Sequence, residues 1–80
     1  MKHIVMPRLG LTMEQGTLLT WCINEGAAFQ EGDIIFEIET DKVTSEIEAP
    51  FSGKLIKILV PEGETVDVTT PVAEAEEGMG

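Results

Sequence analysis

One amine stands between two runs of alternating apolar and acidic residues in Glu37-Ile38-Glu39-Thr40-Asp41-Lys42-Val43-Thr44-Ser45-Glu46-Ile47-Glu48. Alternation of this kind is strand periodicity, and the Asp41-Lys42 pair between the runs reads as a tight turn with Lys42 at its tip. Lysines that act as catalytic amines work desolvated in apolar pockets. Here Glu37, Glu39, Asp41, Glu46 and Glu48 favour the charged, weakly nucleophilic ammonium. By residue type alone Lys42 is a solvated turn lysine. His3 is the only histidine and Cys22 the only cysteine, so neither a zinc site nor a Cys-His pair is expected. No nucleophile-base-orienter set and no phosphate-binding glycine loop is visible. The chain on its own is expected not to be an enzyme.

The elements that would position Lys42 are strands. No segment sustains helical apolar spacing behind a cap. Strands are expected over residues 3–6, 17–24, 34–40, 43–49, 54–60 and 72–75, with turns at Glu25-Gly26, Ser52-Gly53 and Pro61-Glu62-Gly63. In the strand before the turn, Ile34, Phe36 and Ile38 share one face, and Ile35, Glu37 and Glu39 the other. After it, Val43, Ser45, Ile47 and Ala49 face one way, and Thr44, Glu46 and Glu48 the opposite way. Cys22 is expected to be buried or half-buried, and Trp21 to be a core residue. A two-residue turn favours left-handed φ, which Asp41 tolerates and from which Lys42 gains nothing. Either the turn has another geometry or the lysine is held there at a conformational cost.

The chain repeats itself without a gap. Gly16-Thr17-Leu18-Leu19-Thr20-Trp21-Cys22-Ile23-Asn24-Glu25-Gly26 aligns with Gly53-Lys54-Leu55-Ile56-Lys57-Ile58-Leu59-Val60-Pro61-Glu62-Gly63. The alignment continues, placing Phe29 on Val66, Glu37 on Glu74 and Glu39 on Glu76. The fold class that follows is all-β: a flattened barrel or sandwich of two small antiparallel sheets with approximate two-fold symmetry. One half runs out at the Lys42 turn and the other near the chain end, so the turn and the termini are expected at opposite ends. The domain is expected to occupy residues 1–76, and the acidic tail 77–80 to begin a linker.

Fifteen acidic residues against five basic ones give a formal charge of −10. That field repels phosphate backbones and anionic lipid surfaces, so nucleic acid and membrane are not expected partners. No apolar run approaches the roughly 20 residues of a membrane-spanning helix. The expectation from these features is a soluble, intracellular protein.

Glu39-Thr40-Asp41-Lys42-Val43 resembles the lipoylation motif of lipoyl domains, which belong to the acyltransferase components of 2-oxo acid dehydrogenase complexes. The resemblance covers nearly the whole chain. It includes residues 6–16, residues 16–21, Glu25-Gly26, Glu31-Gly32-Asp33 and Ala49-Pro50-Phe51-Ser52-Gly53. Val43 stands where alanine is the commoner residue. The resemblance implies lipoic acid as an amide on Lys42, with Glu39, Thr40, Asp41 and Val43 as the context of modification. The amide removes one positive charge, so −10 becomes −11.

The resemblance also implies the partners. A thiamine-diphosphate-dependent decarboxylase acylates the swinging arm reductively, an acyltransferase core passes the acyl group to coenzyme A, and a dihydrolipoamide dehydrogenase restores the disulfide. A lipoylating enzyme installs the arm. The parent would be of pyruvate, acetoin or branched-chain type. Leu9, Gly10, Leu11 and Thr12 would help the decarboxylase recognise the domain; they equally suit a surface loop. Two other readings are a biotinyl carrier domain and an unmodified acidic β interaction domain. Biotinyl domains carry Met on both sides of the lysine, where this chain has Asp41 and Val43.

Of Lys2, Lys42, Lys54 and Lys57, Lys42 alone falls at a predicted turn tip. Moving the lysine one position along the strand is therefore expected to abolish modification. Intact mass of the shifted variant checks this, and efficient lipoylation would refute it.

Overall fold

A computed structural model describes residues 1–41 and 43–78. The described residues form eight strands: β1 (Lys2–Val5), β2 (Gln15–Trp21), β3 (Ala28–Phe29), β4 (Ile34–Thr40), β5 (Val43–Glu48), β6 (Gly53–Ile58), β7 (Thr65–Asp67) and β8 (Pro71–Glu77). They make two four-stranded antiparallel sheets, ordered β1-β8-β6-β3 and β5-β4-β2-β7. The sheets do not close on each other, so the architecture is a flattened sandwich and the barrel alternative is set aside. Strand β4 has the bounds expected from alternation, and β8 runs on through Glu77.

The sequence repeat is also a structural one, at an offset of 37 residues from Gly16 to Gly53. Thr17 opposite Glu39 and Leu18 opposite Ile38 in one sheet match Lys54 opposite Glu76 and Leu55 opposite Ala75 in the other. The halves clasp each other reciprocally. The amide of Leu18 donates to Glu64 O (2.8 Å) and that of Gly63 to Leu18 O (2.7 Å). At the matching positions Leu55 N donates to Ala27 O (2.9 Å) and Gly26 N to Leu55 O (2.6 Å). The carboxylates of the two Glu-Gly turns complete the exchange. Glu62 accepts from Trp21 N (2.8 Å) and Thr20 Oγ1 (2.8 Å), and Glu25 accepts from Ile58 N (2.8 Å).

Both clasped strands carry a bulge at the same place. Pairing shifts register between Leu18 and Thr20, and again between Leu55 and Lys57. Leu19 and Ile56 are the extra residues, and each lies partly exposed on the outer face. A bulge reverses the alternation beyond it. Trp21 and Ile23 therefore turn toward the core, and Cys22 turns outward. The expectation of a buried Cys22 is corrected accordingly: the residue is exposed. A third shift, between Ile34 and Phe36, buries Ile35 and leaves Ile34 half-buried, the reverse of their expected faces.

The core joins Ile4, Met6, Leu18, Ile35, Phe36, Ile38, Leu55 and Val72, with Phe29 and Phe51. Symmetry of backbone is not symmetry of volume: Phe36 and Ile38 occupy the positions that Ala73 and Ala75 hold in the other half. Trp21 packs on Phe36 at 5.0 Å between ring centres and donates its indole N–H to Val60 O (3.0 Å). This contact brings the end of β2 against the chain just past β6, near the molecule's middle. The beginnings of β2 and β6 therefore lie at opposite ends of a body 36 Å long. Gln15, at the first, neighbours the β4–β5 hairpin. Gly53, at the second, pairs with Glu77, where an ion pair of Lys2 and Glu77 (2.8 Å) holds β1 to β8.

A Cβ on residue 53 would overlap the backbone carbonyl of Glu76, whereas one on residue 16 would meet the flexible ends of Met6 (Sδ, 2.8 Å) and Met13 (Cε, 3.2 Å). Gly53→Ala is expected to cost about 2–3 kcal/mol and Gly16→Ala about 1 kcal/mol, read as shifts in urea midpoint. Glu62 is held below its ordinary 4.5, first by the Trp21 amide and then by the Thr20 hydroxyl. A depressed carboxylate stabilises the fold above its unfolded value and loses that contribution as pH falls through the lower folded value. The gap in denaturation midpoint between wild type and Glu62→Gln should be full at pH 7 and close as pH drops below 4.5.

Candidate functional site

The β4–β5 hairpin is zipped to its end. Glu37 pairs with Glu46, Ile38 with Ser45, Glu39 with Thr44 and Thr40 with Val43, so the connection is two residues long. Buried Phe36 and Ile38 fix the register, because a slip of one would drive glutamates into the core. Asp41, the first connecting residue, adopts a left-handed φ of +48°, which aspartate tolerates better than most side chains. Lys42, on which the sequence reading centres, lies outside the described residues. Glu39 and Asp41 are exposed, Thr40 is half-buried, and Val43 is 58% exposed.

The hairpin's outer face is strongly acidic. Glu37 and Glu46 sit directly opposite each other, a placement that costs a sheet stability. The nearby Cys22 thiol is pushed above its ordinary 9.0, first by the protein atoms that displace water from it and then by Glu37, Glu46 and Glu62. An exposed thiol with little thiolate character is a poor nucleophile. Among the described residues no group of three or more His, Cys, Asp or Glu side chains could hold a metal ion. Nor is any helix long and apolar enough to cross a membrane.

Beside the hairpin runs the connection from β1 to β2, residues 6–14. Its counterpart from β5 to β6, residues 49–52, has four residues against these nine. The longer connection folds over itself: Met13 N donates to Gly10 O (3.2 Å), Leu9 N to the Met13 sulfur (3.2 Å) and Arg8 Nη1 to Leu11 O (3.2 Å). Between loop and hairpin lies a groove of about 530 Å³. Leu9, Gly10, Thr12 and Met13 line it from the loop, and Thr40, Asp41, Val43 and Ser45 from the hairpin. Three of the four loop residues singled out in the sequence thus border the groove. Leu11 does not line it and is 96% exposed. Met13 and Gln15 were missed. The spacing marks a longer loop here, since Pro7 precedes Gly16 by nine residues but Pro50 precedes Gly53 by three, but it does not say which of the loop's side chains reach the hairpin.

A fold of two matched sheets with this hairpin defines a class of small carrier domains, and comparison with known proteins places the chain within it. A family model described as "Biotin-requiring enzyme", which spans biotinyl and lipoyl attachment, matches residues 2–74. The solution structure of the lipoyl domain of the 2-oxoglutarate dehydrogenase complex from Azotobacter vinelandii superposes with a TM-score of 0.77 at 32% identity. That match covers 96% of this chain and 98% of that one. The pyruvate dehydrogenase E1 component subunit beta of Rhizobium meliloti is 52% identical over 72 residues, 89% of this chain and 16% of that protein. The dihydrolipoyllysine-residue acetyltransferase component of pyruvate dehydrogenase complex from the same organism is 49% identical over 72 residues, again 89% and 16%. The chain therefore spans about a sixth of the length of these curated relatives. It belongs to the biotinyl/lipoyl-attachment family and, within it, to the lipoyl domains, which are carriers and not catalytic on their own.

Proposed function

We propose that Lys42 carries lipoic acid as an amide on its Nε, and that the domain presents this arm to the successive active sites of a 2-oxo acid or acetoin dehydrogenase complex. The observation that carries the reading is the register of the hairpin. Thr40 pairs with Val43, so the connection is two residues, of which Lys42 is the second. Likeness to a solved lipoyl domain over nearly its full length supports lipoate over biotin, as do Asp41 and Val43 in place of flanking methionines. The bound group supplies a dithiolane that can be reduced and can take an acyl group as a thioester. The surroundings suit such a group: Val43 and Leu9 offer exposed apolar surface on either side of the hairpin groove.

The chain's own part is presentation. Buried Phe36 and Ile38 hold the hairpin rigid, and a rigid support with a tethered arm raises effective concentration at each site it visits. Glu39, Thr40, Asp41 and Val43 form the surface read by the lipoylating enzyme. Leu9, Gly10, Leu11 and Thr12 form the surface read by a thiamine-diphosphate-dependent decarboxylase. An acyltransferase core and a dihydrolipoamide dehydrogenase complete the set of partners. In this reading the domain spans residues 1–76 together with Glu77, whose pairing with Gly53 ends β8, the residues after it lead into a linker, and the complex works in a bacterial cytoplasm or a mitochondrial matrix.

Expression in a lipoylation-competent host tests the reading. Intact mass should show a lipoyl gain on the wild type and none on Lys42→Arg. Reductive acylation by decarboxylases supplied with pyruvate, acetoin or branched-chain 2-oxo acids should then proceed with the wild type and stop completely with the variant. A biotin-sized gain, or no gain, would refute the assignment.

A further inference from the structure

Building on the attachment of lipoate to Lys42, we infer that the groove between the loop of residues 6–14 and the β4–β5 hairpin is a docking site for the domain's own lipoyl arm. The two halves of the chain share strand order, register, bulges and reciprocal clasps. They differ where β1 leads into β2: nine residues stand there against four at the matching connection. The added chain lies against the hairpin and walls the groove. It is held in shape by the Leu9–Met13, Met13–Gly10 and Arg8–Leu11 hydrogen bonds, so its ordering cost is met before any guest arrives.

The chemistry of the groove fits this guest. Leu9 on one bank and Val43 on the other are apolar and half exposed or more, and Met13 adds a polarisable thioether. An alkyl chain ending in a dithiolane is apolar and carries soft sulfur. The carboxylates of Glu14 and Asp41 also line the groove and disfavour an anionic guest such as a phosphate. The volume of about 530 Å³ falls within the ~300–1,000 Å³ usual for small-molecule sites. A group joined to residue 42 is tethered between two lining residues, Asp41 and Val43. Its effective concentration is then on the order of millimolar, so an intrinsic affinity of that same weak order leaves the arm docked about half the time. Such an arm is shielded between visits yet released by any partner that binds it more tightly.

The test compares ¹⁵N-labelled domain, unmodified and enzymatically lipoylated, after intact mass confirms the loading. Docking predicts amide shift changes at Leu9, Gly10, Thr12 and Met13, and nuclear Overhauser contacts from arm methylenes to the Leu9 and Val43 side chains. Leu9→Ser should erase both; its position is half exposed, so the fold should survive. In a Cys22→Ser background, the reduced arm of the wild type should react with a thiol reagent about twofold more slowly than that of the Leu9→Ser variant. Shifts confined to residues 39–45, no arm contacts and equal thiol rates would overturn docking while leaving the attachment intact. Loop shifts that appear only on adding a decarboxylase would give the groove to that partner and likewise overturn it. Failure to gain the lipoyl mass would overturn the attachment and the docking together.

Discussion

The fold depends on a reciprocal exchange of hydrogen bonds between its two halves. Leu18 bonds through N–H and C=O to Glu64 and Gly63, and Leu55 does the same with Ala27 and Gly26. Each half thus completes the backbone of the other at the point where the strand bulges and leaves its ladder. Buried amides and carbonyls demand partners, and neither half could supply its own there. Glu62 and Glu25 extend the same exchange to the amides of Trp21 and Ile58. In a chain of 80 residues with limited capacity to bury surface, this mutual completion helps a modest core suffice.

Much of this was legible in the sequence. The gapless match of residues 16–26 with 53–63 announced two similar sheets, and the alternation around Asp41 gave β4 its observed bounds and all of β5, running one residue past its end at Glu48. Strands β3 and β7, at two and three residues, are too short to carry a period, although Phe29 and Val66 already stood in register in the repeat. The bulges were invisible because they are set by pairing across strands and not by residue type. Leu18-Leu19 and Leu55-Ile56 read as ordinary apolar runs, and the face of Cys22 was assigned wrongly in consequence.

The site divides along similar lines. Local motif sufficed to mark the hairpin, whose strands pair as far as Thr40 and Val43. The groove is a tertiary object: it forms because β2 begins beside the end of β4, and because the β1–β2 connection has residues to spare. Leu9 could be nominated from its place in the loop. Met13 could not, since its part depends on where its sulfur ends up, within reach of the Leu9 amide. Backbone symmetry marks what holds the domain together, and the break in symmetry at residues 6–14 marks the end of the molecule where loop and hairpin enclose a groove.

The elongated body with its hairpin and its chain ends at opposite poles has a mechanical consequence. Any tether joined past Gly78 would pull at the pole away from the hairpin, and the folded protein between them, in a body 36 Å long, would act as a strut. A flexible linker has a root-mean-square span of roughly 5–6 Å times the square root of its residue count, so matching that length takes about 40 disordered residues. The strut gives the same offset without the spread of end positions such a linker brings. It would also keep the acidic hairpin face clear of the anchor of any such tether, which would set where the domain can go while the strut sets which end arrives first.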